Sequence, residues 1–191
     1  MASEIPFNQV TTRGGDGGEA TLFDGERRAK DDLVFRTLGD FDELASWIGV
    51  VRARNRDEWP GRLHDFDAEL REAQVALSRI SALIACSPTS ATYSRLAAVD
   101  ETVVHELELR EARLLQNTRI EPVFVIPGDH DHSAEIDYAR TICRRCERTL
   151  VTLIRDRARP RPDLHDSQRY LNRLSDYLFV LARHMEQDRD S

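Results

Sequence analysis

The stretch IDYARTICRRCERTLVTL, residues 136–153, carries apolar residues at alternating steps of three and four. If residues 134–155 form one helix, these residues share one side of it and make the kind of stripe that a helical bundle buries. The stripe consists of Ile136, Ala139, Cys143, Cys146, Leu150 and Leu153. The stretch therefore predicts a long helix that packs in the core of a bundle.

The two cysteines of this stripe also have the spacing of half a zinc site or of a redox pair. A zinc site needs four ligands, and the other candidates nearby are His130 and His132, with no second pair spaced to close a tetrahedron. A free cysteine behaves as a small apolar residue in such a row. We therefore expect Cys143 and Cys146 to pack in the core, with zinc binding and redox chemistry as the alternatives.

The polar residues around the cysteines fall on a different side of the predicted helix. At about 100° per residue, one face carries Arg140, Arg144, Glu147 and Arg148. The following helix has a polar row beside its apolar one, formed by Asn172, Asp176, Phe179 and Arg183. Two adjacent rows of this kind suit a ligand site at the rim of a bundle. An oligomer contact and a solvated charged face are the alternatives.

Helical periodicity also covers residues 40–54, 63–85 and 96–116, with short breaks such as EWPG and CSPTS between them. Residues 1–31 are instead rich in glycine and charge, and they predict turns and loops. The whole sequence predicts an all-α protein of one domain, residues 1–191. In this domain a bundle of four or five long helices, residues 40–188, follows an irregular, Gly-rich N-terminal arm of residues 1–31.

The overall composition excludes several classes of protein. The chain has 191 residues, three cysteines and a net charge of -7, which argues against a non-specific nucleic-acid binder and against a disulfide framework. No run approaches the roughly 18 apolar residues of a membrane helix, and the first thirty residues carry acidic groups where an export signal has an apolar stretch. We therefore expect a cytoplasmic protein without nucleic-acid or membrane partners.

Four segments of the chain, taken in order, resemble the PduO-type ATP:cob(I)alamin adenosyltransferases. They are TTRGGDGGEATLFDGERRAKDDLVFRTLGDFDELASWIG, FVIPG, ARTICRRCER and YLNRLSDYLFVLAR, which lie within residues 11–183. The resemblance implies a homotrimer of ferritin-like five-helix bundles that binds ATP between the arm of one subunit and the helices of its neighbour. It implies that the 5′-deoxyadenosyl group of ATP is transferred to the Co(I) of reduced cobalamin, with Mg²⁺ as cofactor and triphosphate as product. A flavin-type reductase and a cobalamin-dependent enzyme are the implied protein partners.

The resemblance also implies roles for individual residues. The phosphate cradle of the arm would consist of Thr12, Arg13, Gly15, Asp16, Gly18 and Lys30. Arg144 would grip the triphosphate, assisted by Arg145, Glu147 and Arg148. Ribose, Mg²⁺ and nearby phosphates would be held by Asn172, Arg173 and Asp176, of which Asn172 is the candidate Mg²⁺ ligand. Asp42 would pair with Arg140 across the subunit interface. Phe124 would occupy the lower face of the corrin and leave the cobalt without an axial ligand there.

The chain departs from the family pattern at several of these places. Gly14, Gly17 and Ala20 replace side chains that contact phosphate in the family, and Asp40 stands where a small hydroxyl residue is common. The loop GDHDH, residues 128–132, replaces a Gly-Gly-Ser turn. These departures keep a second function open, a corrinoid-binding or delivery trimer with little or no transfer. They also raise the hypothesis that one histidine of this loop, His130 or His132, contacts the corrinoid or a metal.

Overall fold

The computed structural model describes residues 5–58, 64–128 and 130–187. Its helices are α1 (Phe7–Val10), α2 (Leu33–Glu58), α3 (His64–Ile84), α4 (Glu101–Gln116), α5 (Asp131–Ile154) and α6 (His165–Gln187), and its strands are β1 (Glu19–Thr21) and β2 (Arg27–Ala29). The five long helices among the described residues confirm the predicted all-α bundle. None of the helices in these ranges combines the length and the apolar character needed to cross a bilayer.

The helix α5 lies between α2 and α6, while α6 also packs on α4 and α2 on α3. Every residue of the apolar stripe predicted for α5 is buried, each at 2% exposure or less. On the neighbouring helices, Leu44 and Ile48 of α2 and Leu171 and Leu174 of α6 belong to the same apolar core and are equally inaccessible. Removing this apolar surface from water is the main force that holds the helices together. The stripe is therefore confirmed as the packing face of α5.

Polar contacts between α5 and α6 show that the two helices run antiparallel. Near the start of α5, Ser133 Oγ donates to Glu186 Oε1 at 2.5 Å, and further along Asn172 Nδ2 donates to Glu147 Oε1 at 3.4 Å. Between these two contacts Arg183 pairs with Asp137 at 2.5 Å.

The residues of the two polar rows, with the contacts between them, are called the α5–α6 polar seam. It consists of Ser133, Asp137, Arg140, Arg144, Glu147 and Arg148 on α5 and of Asn172, Asp176, Phe179, Arg183 and Glu186 on α6.

Two helix starts differ from the sequence prediction. The helix α2 begins at Leu33 rather than near residue 40, because Asp32 Oδ1 accepts a hydrogen bond from the backbone N–H of Val34 at 2.8 Å. The helix α4 begins at Glu101 rather than near residue 96, and there Asp100 Oδ1 accepts from the N–H groups of the next turn, at 3.0 and 3.2 Å. A carboxylate satisfies the unpaired donors of a helix N-terminus, so each aspartate fixes the start of its helix.

The N-terminal arm is more regular than the turns and loops that its sequence predicts. The strands β1 and β2 pair antiparallel, and Gly25 takes a φ of +91° in the turn between them. The tip of this hairpin is bound to the end of α3, where Asp24 Oδ2 accepts from the N–H of Ser87 at 2.7 Å and the N–H of Phe23 donates to the carbonyl of Ala85 at 3.1 Å. The arm is therefore attached to one end of the bundle.

The cysteines of α5 are free thiols in the core, which confirms the packing interpretation. Cys143 donates to the carbonyl of Leu171 at 3.3 Å, and Cys146 donates to the carbonyl of Asp40 at 3.1 Å. Burial raises the pKa of Cys146 to about 12. Among the described residues, no three His, Cys, Asp or Glu side chains form a group able to hold a metal.

This burial predicts that the α5 thiols are unreactive in the folded protein. Since the thiolate is the nucleophile, iodoacetamide at pH 8 is expected to modify Cys143 and Cys146 at least about a hundredfold more slowly than in the urea-unfolded chain. Peptide mass spectrometry of timed samples measures both rates. Rapid modification of either cysteine in the native protein would contradict the packing role.

Candidate functional site

Two arginines of the α5–α6 polar seam present free positive charge to solvent. The side chains of Arg144 and Arg148 lie one helical turn apart and are exposed. Within the described part of the chain, neither makes a hydrogen bond or an ion pair through its guanidinium. A guanidinium carries five donors in a rigid fork that matches carboxylate and phosphate oxygens. The part of the seam around Arg144 and Arg148 is therefore suited to bind an external anion.

Arg145 points to a different helix, although it is adjacent to Arg144 in the sequence. Its Nε donates to Asp40 Oδ1 of α2 at 3.0 Å, and its Nη2 pairs with Glu43 of the same helix. Burial alone would lower the pKa of Arg145, but the nearby carboxylates of Glu43 and Asp40 outweigh it and raise this pKa. Arg145 thus holds α5 against α2, and its assistance to Arg144 in holding phosphate stays a prediction.

The polar row of α6 meets α5 and α4 around a pocket of about 460 Å³. Here Asn172 donates to Glu147 at 3.4 Å, Arg173 Nη2 donates to Asn172 Oδ1, and Arg173 Nε lies 3.8 Å from Asp176 Oδ2. The residues that line the pocket are Val104, Glu108, Glu147, Gln168, Arg169, Asn172 and Arg173. The structure therefore brings together Glu147, Asn172 and Arg173, as the sequence predicts.

Three polar residues of this pocket were not identified from the sequence. Gln168 and Arg169 precede Asn172 and Arg173 by one helical turn, so their helical spacing was a usable signal. Glu108 comes from α4, and nothing in its local sequence marks it. Nearby on α4, the pKa of Glu111 is raised by burial and by the charge of Asp176.

The Gly-rich loop of the arm and Lys30 come together, as predicted. The N–H of Lys30 donates to the carbonyl of Gly18 at 2.8 Å, and its Nζ lies so close to Gly15 that a Cβ there would meet it at 2.8 Å. Gly18 has a φ of +81°, which favours glycine. Arg13, with a φ of +55°, is also in the left-handed region. The backbone therefore favours glycine at position 18, whereas a Cβ at position 15 would displace only the flexible end of the Lys30 side chain.

The loop offers fewer free backbone donors than the sequence suggests. The N–H of Asp16 donates to the carbonyl of Arg13 at 3.3 Å, and that of Gly18 to the carbonyl of Gly15 at 3.2 Å. Thr12 Oγ1 accepts from the N–H of Gly14 at 3.4 Å. The predicted run of inward-turned N–H groups is therefore only partly available for an anion. Thr12 and Asp16 are themselves exposed.

The apolar strip PVFVIPG, residues 122–128, projects from the bundle. Phe124 is fully exposed at 100%, and its neighbours Val123 and Ile126 are exposed at 64% and 78%. A mutual contact with Gln187 fixes the base of the strip, because the N–H of Arg119 donates to the amide oxygen of Gln187 at 3.0 Å and the amide nitrogen of Gln187 donates back. Between the strip and α6 lies a pocket of about 560 Å³. This apolar wall is suited to a large, partly apolar ligand.

The histidines after this strip are turned inward. His130 and His132 are 5% and 6% exposed, and their ring centroids lie 5.8 Å apart. Asp129, between them and the strip, lies outside the described residues. The hypothesis that His130 or His132 contacts the corrinoid or a metal therefore stays a prediction about two buried side chains.

The predicted partners Asp42 and Arg140 do not meet within one chain. Asp42 is exposed on α2, and in the described part of the structure it has no ion-pair partner. Arg140 instead donates through Nε to Asp137 Oδ1 at 3.0 Å. Likewise, no hydrogen bond or ion pair among the described residues joins the Gly-rich loop to Arg144 or Asn172. One chain thus carries separate groups of candidate site residues.

Known proteins similar to this chain are named as adenosyltransferases of cobalamin or corrinoid. A family model described as cobalamin adenosyltransferase matches residues 10–185. The corrinoid adenosyltransferase of Citrobacter freundii is 34% identical over 180 residues, which cover 92% of this chain and 93% of that protein. The corrinoid adenosyltransferase MMAB of Homo sapiens is 33% identical over 178 residues, which cover 92% of this chain and 68% of that protein.

Solved structures of PduO-type ATP:corrinoid adenosyltransferase variants from Lactobacillus reuteri have the same fold. A variant with alanine in place of a phenylalanine, complexed with cobalamin and ATP, has a TM-score of 0.81 and 26% identity and covers 93% of each chain. A variant with lysine in place of an arginine, complexed with ATP, has a TM-score of 0.78 and 27% identity and covers 92% of this chain and 93% of that one.

The different environments of Arg144 and Arg145 predict different effects on the free energy of unfolding. Arg145→Ala is expected to lower the free energy of unfolding by about 1 kcal/mol, because it removes two partly exposed ion pairs that solvent screens. Arg144→Ala is expected to stay within about 0.5 kcal/mol of the wild type. Urea denaturation at one protein concentration measures both. Equal losses for the two variants would show that Arg144 has a structural partner.

Proposed function

The chain belongs to the cobalamin adenosyltransferase family, and on that premise we propose that it transfers the 5′-deoxyadenosyl group of ATP to the Co(I) of reduced cobalamin. The products are adenosylcobalamin and triphosphate. The observation that carries the proposal is that the guanidinium of Arg144, on the α5–α6 polar seam, is exposed and has no partner among the described residues. A carrier of corrinoid has no need of a group that grips triphosphate.

The reaction needs positioning more than acid or base catalysis. Co(I) is a strong nucleophile, so its electron pair attacks C5′ of ATP directly. A Co–C5′ bond forms, the C5′–O bond breaks, and the electrons of the broken bond leave on the triphosphate. The protein must hold C5′ in line with the cobalt. Correct orientation of bound reactants lowers the activation barrier by several kcal/mol, and by about 7–11 kcal/mol in favourable cases.

The leaving triphosphate is stabilised by cations placed where negative charge accumulates. In this proposal Arg144 contacts the triphosphate, Arg148 adds charge one turn further on, and Lys30 contacts it from the arm. The remaining arm contacts come from Thr12, Arg13, Gly15, Asp16 and Gly18. Arg145 assists by holding α5 in position, since its guanidinium is paired with α2.

The pocket between α4, α5 and α6 receives the ribose and the adjoining phosphates. Glu147 holds the amide of Asn172, while Arg173 and Asp176 supply opposite charges beside it. Bound Mg²⁺ supplies further positive charge to the triphosphate. Asn172 is its candidate protein ligand, which fits an ion that binds chiefly to phosphate oxygens and water and takes few ligands from protein.

The corrin ring is received by the apolar strip. Phe124 and its neighbours present an apolar surface that excludes water and a lower axial ligand from the cobalt. Four-coordinate cobalt is easier to reduce to Co(I). The strip thus contributes to the chemistry although it supplies no polar group.

Two observations support a site shared between copies of the chain. No hydrogen bond or ion pair joins the arm to the α5–α6 polar seam among the described residues, and Asp42 and Arg140 are not paired within the chain. Together with the family resemblance, these observations support our proposal of a homotrimer in which each chain folds as one domain. The arm of one copy and the seam of the next then hold one ATP, and Asp42 pairs with Arg140 between copies. A flavin-type reductase supplies Co(I), and a cobalamin-dependent enzyme receives the product.

An anaerobic assay tests the proposed function. With reduced cobalamin and MgATP, the protein is expected to remove the Co(I) absorbance and to release one triphosphate for each adenosylcobalamin formed. Equilibrium binding of each substrate is measured in parallel. No product, with both substrates bound, would favour the corrinoid-binding or delivery protein that the altered arm residues Gly14, Gly17 and Ala20 keep open.

Arg144→Ala is expected to lower kcat by roughly a hundredfold to a thousandfold, as loss of a transition-state donor does. Arg155→Ala is the matched control, because it removes the same charge from the exposed residue that follows α5, about 16 Å from Arg144 along the helix axis. The control is expected to keep the wild-type rate. A folded Arg144→Ala variant with normal turnover would refute the role of this residue.

A further inference from the structure

Asp137 is a buried carboxylate that two arginines share. It is 2% exposed, and each of its oxygens accepts one hydrogen bond. Arg183 Nη2 donates to Oδ2 at 2.5 Å, and Arg140 Nε donates to Oδ1 at 3.0 Å. A buried charge of this kind is tolerated only with good hydrogen-bonding partners, so the position of the carboxylate is tightly defined.

The inner partner, Arg183, holds this carboxylate in place. Arg183 is 5% exposed and also donates to Ser133 Oγ at 3.1 Å and to Glu186 Oε1 at 2.8 Å. Its guanidinium lies over the ring of Phe179, 5.3 Å from the ring centroid. With three acceptors and an aromatic face around it, Arg183 has little freedom to move. Asp137 therefore has a fixed support on the α6 side.

The outer partner, Arg140, uses only one of its donors inward. Asp137 takes the Nε–H, and the structure gives the two Nη groups of Arg140 no acceptor within the described chain. The side chain of Arg140 is 24% exposed. The Nε bond holds the guanidinium beside Asp137, and the Nη groups stay available to an acceptor outside the described chain. A pair of free donors at the end of a fixed guanidinium matches a carboxylate.

We propose that Asp137 is a positioning residue that orients Arg140 toward the carboxylate of Asp42 in a second copy of this chain. The identity of that partner rests on the proposed function, whereas the orientation rests on the contacts of Asp137. Arg183 and Glu186 also line the pocket beside Phe124. Asp137 thereby connects the residues beneath the apolar strip to the arginine at the contact between copies.

A double-mutant cycle on subunit association tests the proposal. The proteins are the wild type, Asp137→Asn, Asp42→Asn and the double variant, and sedimentation equilibrium gives each association constant without ATP or cobalamin. Each single change is expected to weaken association by about tenfold, and the double variant to be no weaker than Asp42→Asn alone. A merely structural role for Asp137 gives additive losses, which would overturn the proposal, as would unchanged association of Asp137→Asn. Asp131→Asn, the same change at an exposed position of α5, is the control and is expected to associate normally.

A second variant keeps the test decisive if Asp137→Asn does not fold. Arg140→Lys keeps the charge but has one nitrogen in place of the three-nitrogen fork, so it is unable to bond Asp137 and the second copy in the same geometry. It is expected to associate as weakly as Arg140→Ala, and wild-type association would overturn the proposal.

Association and turnover separate this inference from the proposed function. A wild type that assembles with the predicted coupling but transfers nothing would refute the enzyme and leave the role of Asp137 standing. A wild type that sediments as a monomer would overturn the role of Asp137, because no second copy would then be present for Arg140 to bind.

Discussion

The burial of one face of α5 fixes the directions of the side chains around it. Cys143 and Cys146 must face the core, because their stripe packs α5 between α2 and α6. Arg144 follows Cys143 by about 100°, and Arg145 precedes Cys146 by the same angle, so these adjacent arginines leave the helix in different directions. Arg144 reaches solvent beside α6, and Arg145 reaches the carboxylates of α2. One packing constraint thus divides a basic run into a structural cation and a free one.

The ionic side chains of the α5–α6 polar seam are paired at one end, and at the other they include two unpaired arginines. Near the start of α5, the buried Asp137 and Arg183 are paired. Further along, Arg144 and Arg148 carry positive charge without an acceptor among the described residues. Because paired buried charges have little attraction left for a ligand, the free cations dominate the field that an incoming anion meets. This asymmetry places the proposed triphosphate site next to Asn172 rather than beside the strip.

Features that depend on local periodicity, such as the buried face of α5, were predicted from the sequence. Contacts between residues far apart in the chain were not. The α5 stripe follows from spacing alone, and its burial is confirmed. The starts of α2 and α4 were placed wrongly although Asp32 and Asp100 are ordinary capping residues, so that signal was present and unused. The partners of Arg145 lie more than one hundred residues away in the chain, and no local pattern indicates them. The family resemblance supplied the candidate residues of the site, but it did not supply the direction in which each side chain points.

The central claim is that one ATP site is built from the arm of one copy and the seam of the next. Mixing two inactive variants tests it most directly. Lys30→Ala has an intact seam and Arg144→Ala an intact arm. If arm and seam come from different copies, each mixed trimer regains one of its three sites, and a 1:1 co-expressed population regains about a quarter of the wild-type sites. Recovery of about that activity is the predicted result. Mixed trimers that form but remain inactive would contradict the account.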